Sequence, residues 1–549
     1  PSPPGRCRTN GIGTIPDAQQ RVELVPVVSI SSDLYRSRIR AFAVSGTPTM
    51  RARWPTNGVR RGAFGAAVVT AAAFMGYVAA INPMWVGILL LALAGAAIFT
   101  YRREWLPLAT LVLACAALPA GFTPSFSFGG FTFPAYEIAL LAAFVVALRS
   151  GINKSTSFNL GVLMTWLLIG IGTATIAGNL SIHTIGDLRN LAQLVMALVV
   201  AAATINTPVA ERCAVVMKWV LWFSLGIILT ASTVGIALAG RSEQAALVGE
   251  SAEATRYLTA ATYPALATLC ICIALGVLGI APFRSTWSWS LPSILILFLA
   301  FSRNHILGVV ITVVAALIAV RSLRVALSAA AKIALAGATI GGAALIVVSP
   351  LMADLPGMKW AGAQVQSYSA RVVEGIRSDT LQSDPSAMFR QAENELLRQS
   401  INEAPVFGHG FGYAYKLPDG KRGTWTYEQA PYYAHNFYLW ATAKTGIVGL
   451  ILFGAAVATP LLIAIFRTGT SVRLASAISA AALGFLAISF VAPMPLGSPT
   501  AATLGVMVGC VYGLERERCR SKSELSDGFS QRVGSTIVDV RQPHSVPGL

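Results

Sequence analysis

Charge is the first thing this chain has little of. Only 12% of its 549 residues are Asp, Glu, Lys or Arg, about half the share in an ordinary soluble domain. A soluble fold with a charged shell is excluded. Cysteine is also scarce, with 7 residues (Cys7, Cys115, Cys213, Cys270, Cys272, Cys510 and Cys519), none of them in the longest polar stretch. That spacing excludes a disulfide-stapled scaffold and a zinc module. Acidic residues number 24 against 41 basic ones, a formal net charge of +17. The basic residues are scattered over short segments between apolar runs and over two tails, not gathered on one face. They argue for a topological role and against a nucleic-acid partner.

What the chain has in quantity is apolar. Hydrophobic residues make up 55% and mean hydropathy is +0.64. A membrane-crossing helix needs roughly 17 to 25 apolar residues, and such runs recur from Phe64 nearly to the end. The expected fold is an all-α polytopic membrane protein with about 12 to 14 transmembrane helices and one long extracytoplasmic loop containing short helices. Spans are read near 64–81, 84–101, 105–119, 134–148, 158–177, 188–205, 214–239, 258–280, 286–301, 305–320, 333–352, 446–466, 474–492 and 498–514.

Lys and Arg favour cytoplasmic loops. One set of alternate loops carries Arg60/Arg61, Arg102/Arg103, Arg149/Lys154, Arg212, Arg284, Arg321/Arg324/Lys332, Arg467/Arg473 and Arg516/Arg518/Arg520. The other set includes Asn82-Pro83, Gly121 to Phe133 and Ala492 to Pro499, with neither Lys nor Arg. Both termini are therefore expected in the cytoplasm of a multi-pass cell-membrane protein. Residues 1–63 read as a basic, disordered tail, 64–352 as transmembrane helices, 353–445 as the extracytoplasmic loop, 446–514 as further helices and 515–549 as a second tail. The first methionine is Met50, so residues 1–49 are expected to lie outside the native protein. No small-residue cleavage site follows the first apolar segment, so no cleavable signal peptide is expected. Four arginines, Arg189, Arg241, Arg256 and Arg303, sit at outer span ends against the charge rule and need another reason.

Within the loop from Met352 to His435, Asp384-Pro385-Ser386 reads as a helix start. Phe389, Ala392, Leu396 and Ile401 then recur at near-helical spacing, predicting an amphipathic helix over 386–403 that Pro405 and Gly408 close. A glycine-rich turn, Gly408 to Gly412, follows. After it come Trp425, Tyr427, Tyr432 and Tyr433, read either as interfacial anchors or as sugar-stacking platforms, and then His435-Asn436.

These residues resemble the O-antigen ligase and O-antigen polymerase superfamily of bacterial surface-polysaccharide enzymes. Three segments carry the resemblance: Arg390 to Gly412; His435-Asn436-Phe437-Tyr438-Leu439 with Thr445-Gly446-Ile447-Val448-Gly449-Leu450; and Ser302-Arg303 with Arg256 ahead of it. The chain departs from the pattern at Asn304-His305, where small residues are usual, and at Lys444, a commonly acidic position. The resemblance implies transfer of a glycan from an undecaprenyl-diphosphate-linked oligosaccharide to a hydroxyl of an acceptor glycan or glycolipid, without metal, cofactor or nucleotide sugar. Apolar spans suit the lipid tail, the interface its diphosphate and the aqueous loop its glycan.

On that reading Arg256 and Arg303 hold the diphosphate, because a permanently charged, bidentate guanidinium matches it best. His435 is the general base. Asn436, Arg390 and Tyr433 are candidate substrate contacts, although Arg390 reads equally as a solvated charge. Arg189 and Arg241 read as interfacial charges. His183, His305 and His409 read as structural, Gly446 and Gly449 as sites of close helix packing, and Glu137 as either a polar anchor or a ligand. The rivals are a lipid-linked sugar flippase or other polytopic transporter, disfavoured by spans almost free of charge, and a glycan polymerase of the shape, elongation and division family, which lacks the His-Asn-to-glycine arrangement.

Overall fold

A computed structural model describes residues 102–128, 131–149, 154–244, 254–349, 357–374, 385–467 and 473–515. All of them fall in the second of the two units into which the chain divides, 88–549. The expected spans near 64–81 and 84–101, the residues Met352 and Asp384, residues 1–63 and the tail beyond Glu515 lie outside the described residues.

Every segment read as a span from residue 105 onward is a helix. In chain order these are α1 (Trp105–Cys115), α2 (Ala135–Arg149), α3 (Lys154–Ile176), α4 (Ile182–Thr204), α5 (Pro208–Val234), α6 (Thr262–Val277), α7 (Trp287–Leu299), α8 (Arg303–Val320) and α9 (Leu323–Val348). Two loop helices follow, α10 (Met358–Tyr368) and α11 (Pro385–Glu403), then the single turn α12 (Trp425–Glu428). The chain continues with α13 (Phe437–Phe466), α14 (Arg473–Ile488) and α15 (498–515). Six of the described helices are long and apolar enough to cross a membrane: α3, α4, α5, α8, α9 and α13. The others named as apolar, α1, α6, α7 and α14, are shorter. Helices suit such a chain because each satisfies its own backbone polar groups. Described strand is confined to two antiparallel hairpins, β1 (Ser125–Phe128) with β2 (Phe131–Pro134) and β3 (Arg241–Gln244) with β4 (Thr255–Leu258).

The helices pack in a connected bundle. α14 lies against α8, α6 and α13, α13 against α3, α2 against α4, and α6 against α7. Side chains of one residue in the α8–α14 seam are minimal for a steric reason. A Cβ on Gly484 would stand 2.5 Å from the Gly308 carbonyl oxygen.

α13 is broken, and the break organises the loop. Gly446 has φ 65° and ψ −174°, which an L side chain rarely adopts, and a Cβ there would meet the Val406 carbonyl oxygen at 2.0 Å. Backbone groups around the break pair with the turn that follows α11. Ile447 N–H donates to Pro405 O (2.9 Å), His409 N–H to Ala443 O (2.9 Å) and Gly410 N–H to Lys444 O (2.7 Å). On its far side, Phe411 N–H donates to Gly170 O of α3 (3.0 Å). Irregular backbone at a helix break is tolerated where protein re-satisfies it, and here the glycine turn, threaded between α3 and α13, does so. Gly446 thus permits close approach of a loop and not of a second helix, which corrects the reading from sequence.

Candidate functional site

α11 forms at nearly the expected bounds but buries a different face. Glu393, Leu397 and Ser400 are the buried positions, whereas Phe389, Ala392 and Leu396 are exposed. A carboxylate is an unlikely residue to bury unless it is fully bonded, and Glu393, 3% exposed, is. Its Oε2 accepts from the His435 backbone N–H at 2.7 Å and lies 3.0 Å from His435 Nδ1. The Tyr415 hydroxyl donates to Oε1 at 2.8 Å, and Lys416 Nζ stands 3.6 Å from the same oxygen. Burial alone would push the Glu393 carboxyl up, but the hydrogen bonds and charge of His435 and the bond from Tyr415 hold it below the ordinary glutamate value. Burial and the neighbouring carboxylate push the Tyr415 phenol well above its usual range, so it remains a donor.

This arrangement fixes the imidazole. An ionised carboxylate only accepts hydrogen bonds, so Nδ1 carries the proton it shares with Glu393, and in the neutral imidazole the other ring nitrogen, Nε2, presents a lone pair. The ring is about a quarter exposed (27%) and lies edge-on between Phe389 (6.0 Å between centroids) and Tyr433 (5.5 Å). Tyr433 also meets Trp425 edge-on at 5.6 Å, and its carbonyl oxygen, 2.6 Å from the Tyr415 hydroxyl, shares that group's single proton with Glu393. Asn436 caps α13, its Oδ1 accepting from Tyr438 N–H (3.1 Å) and Leu439 N–H (3.3 Å). Such a cap contributes about 1 kcal/mol and sets the direction in which His435 leaves the helix. Arg390 is half-buried, one turn before Glu393 on α11.

Arg256 and Arg303 form a second group. Arg256 is in β4 and donates from Nε to the Ala300 carbonyl at 3.1 Å. Arg303 opens α8 after a turn in which Phe301, not a glycine, has φ 43°, a strained conformation. The Ser302 hydroxyl bonds the Asn304 side chain, and His305 is buried with its ring edge-on to Tyr263 at 5.8 Å.

The last turn of α14 joins the two groups. On one side, Phe437 N–H donates to Ser489 O (2.9 Å) and the Tyr438 hydroxyl to Leu486 O (2.7 Å), immediately after His435. On the other, Ile488 packs against Gly308, little more than one turn into α8 from Arg303. His435, Arg256 and Arg303 therefore border the same end of the bundle.

The remaining expected residues have other duties. Arg189 is not a lone interfacial charge. Its guanidinium clamps both Glu137 oxygens (2.9 and 3.0 Å from Nε), donates to Thr132 O (2.8 Å) and lies over the Phe133 ring. Gln193 donates to the same Glu137 at 2.8 Å, so Glu137 is a polar anchor for the first hairpin. Arg241 begins β3, paired with Leu258. His409 Nε2 lies 2.9 Å from Ser400 O and stacks on Tyr413, and His183 stacks on Tyr432 at 3.6 Å. Lys444 is buried, with Nζ 2.8 Å from Asp187 Oδ2 and 2.7 Å from Tyr413 O. Asp187 also accepts from Gly412 N–H (2.8 Å). An acid is thus present beside the position where the family pattern has one, but it comes from α4.

Reading the sequence alone missed Glu393, Tyr415, Lys416 and Asp187. Nothing local separates Glu393 from Glu395 or Glu403 on the same helix. Its only signal is that it lies three positions after Arg390, on that residue's side of the helix. An apolar cavity of about 350 Å³ lined by Pro119, Phe223, Ile227, Ile236 and Leu238 contains none of these groups.

Fold and site together define an integral membrane protein with a polar, histidine-centred site where a broken helix meets a loop. Residues 288–454 match the family model described as O-antigen ligase, in agreement with the resemblance drawn from the sequence. The matched segment includes Arg303, Glu393 and His435, while Arg256 precedes it. No curated protein matches the chain. At the level of the family, this match supports an O-antigen ligase-like membrane glycosyltransferase.

Proposed function

We propose that the chain moves a glycan from an undecaprenyl-diphosphate carrier to a hydroxyl of an acceptor sugar, on the outer face of the cell membrane. The observation that carries this reading is the buried Glu393 that orients His435. A general base must have its lone pair directed at the proton it removes, and the Glu393 contact leaves Nε2 for that task. The acceptor oxygen forms a bond to the anomeric carbon as the bond from that carbon to the diphosphate oxygen breaks. The hydroxyl proton passes to His435 Nε2. The electron pair leaves with the diphosphate, whose charge Arg256 and Arg303 meet, so the leaving group needs no proton donor. Phe389, Tyr433 and Trp425, three rings around or next to the imidazole, suit sugar faces, and Arg390 and Asn436 stand beside them. Acceptors that are lipid-linked chains or other envelope glycolipids are both compatible with this chemistry.

The test uses purified protein and lipid-diphosphate-linked glycan. His435→Ala is expected to bind the donor at wild-type affinity and to lose transfer by about 10²- to 10⁴-fold. Full transfer by that variant would end the proposal. Arg256→Lys with Arg303→Lys is expected to weaken donor binding and turnover together, because a point charge replaces two planar forks.

A further inference from the structure

Buried polar atoms without a hydrogen-bond partner among the described residues are few, and most belong to two stretches, the start of α8 with the end of β4, and α10. They include both ring nitrogens of His305, Trp360 Nε1, both amide atoms of Gln364 and Thr259 Oγ1. Gln364 is 1% exposed, His305 5% and Thr259 6%. Native proteins leave very few such groups unpaired.

Trp360, Gln364 and Tyr368 follow one another at intervals of four on α10, so they share one helix face. That face meets the turn between α7 and α8. Tyr368 packs on Phe298 (5.0 Å between centroids) and Phe301 (6.4 Å). The π-helical turn Ser369–Val373 continues α10 and packs against α8. His305 is two residues beyond Arg303 on α8 and within electrostatic reach of Arg256. Thr259 directly follows the strand that carries Arg256. His305 and Thr259 thus lie on the elements that carry the two arginines, and Trp360 and Gln364 lie on the helix whose end packs on the strained Phe301.

We infer that Trp360, Gln364 and His305 are the uncharged part of a polyprenyl-diphosphate site whose charged part is Arg256 and Arg303. This deepens the function proposed above and rests on it. Diphosphate oxygens only accept hydrogen bonds, and an indole N–H, an amide NH₂ and an imidazole N–H each offer a donor. Two arginines cannot reach every lone pair of a diphosphate. Neutral donors complete the shell without adding charge to a buried place. Gln364 Oε1 is left for a hydroxyl of the adjoining sugar. α10, part of the long loop, becomes one wall of the donor site, and His305 takes part where the family pattern has a small residue.

The full chain in detergent is titrated with farnesyl diphosphate, which has the diphosphate and a short prenyl tail but no sugar. Gln364→Met, Trp360→Phe and His305→Leu each keep bulk and remove donors. Each is expected to raise Kd about tenfold or more. The ligand-free thermal midpoint should hold or rise, because an unpaired buried polar atom has been removed. A wild-type Kd in all three overturns the inference. So does a lowered midpoint with unchanged Kd, which marks a structural role or a bound water. If Arg256→Lys/Arg303→Lys weakens binding while these three do not, the proposed function survives and this inference alone falls. No binding by the wild type would remove both.

Discussion

His435 Nδ1 lies 3.0 Å from Glu393 Oε2 across 42 positions of sequence. Two elements of different kind are needed to make that contact: a loop helix that buries an acid, and a capped helix start that turns the imidazole toward it. The backbone N–H of His435 bonds the same oxygen at 2.7 Å, so main chain and side chain are held by a single carboxylate.

Glu393→Gln keeps the shape and removes the charge. An amide can present either end to Nδ1, so the ring tautomer is no longer fixed and an imidazolium is no longer stabilised. Transfer is expected to fall by about 10²- to 10⁴-fold with donor affinity unchanged. Single-turnover kinetics beside a binding titration reads both. Wild-type turnover would remove Glu393 from the mechanism.

Stability should depend on Glu393 in acid. Its folded-state pKa is held below the ordinary value, so the unfolded chain takes up the proton first as pH falls. The contribution is complete above about pH 5 and is lost as pH drops from the unfolded value, about 4.3, through the lower folded one. The thermal midpoint of the wild type should therefore decline over that interval, and that of Glu393→Gln should decline less. Parallel curves would show that the carboxylate adds nothing.

Lys444 and Asp187 form an ion pair at 2.8 Å, with the two side chains 1% and 10% exposed. Lys444→Met leaves a nearly buried carboxylate uncompensated and is expected to cost about 3–5 kcal/mol. Combining it with Asp187→Leu should cost less than the two single losses added together, because the partners are coupled. Unfolding of the four proteins of this cycle gives the comparison. Strictly additive losses would mean that the contact contributes nothing.

Much of the fold was legible in the order of residues. A bilayer requires long apolar runs whose backbone is satisfied internally, and length and hydropathy record that requirement directly. Every apolar segment read from residue 105 onward contains a helix, and six of the described helices are long and apolar enough to cross a membrane. The candidate histidine and the two candidate arginines stood out for a similar reason, since each lies in a short local pattern. Partners were not. Glu393 looks like any acid on an amphipathic helix until the helix is rotated, and the apolar spacing of Phe389, Ala392 and Leu396 pointed to the wrong face. Phe389 is instead held out beside His435 and Lys416.

The sequence by itself determined that this is a helical membrane protein and which histidine and arginines to examine. The tertiary structure alone decided what those residues touch. Gly446 breaks α13 so that the 405–410 backbone can pair with it. Lys444 finds its acid on α4, and the loop from Met352 to His435 contributes Glu393 to fix the imidazole. Helix formation depends on neighbours three and four positions away, which a sequence displays. Burial of a carboxylate depends on every group that surrounds it, and those groups, His435, Tyr415 and Lys416, come together only when the loop closes on α13 and the bundle.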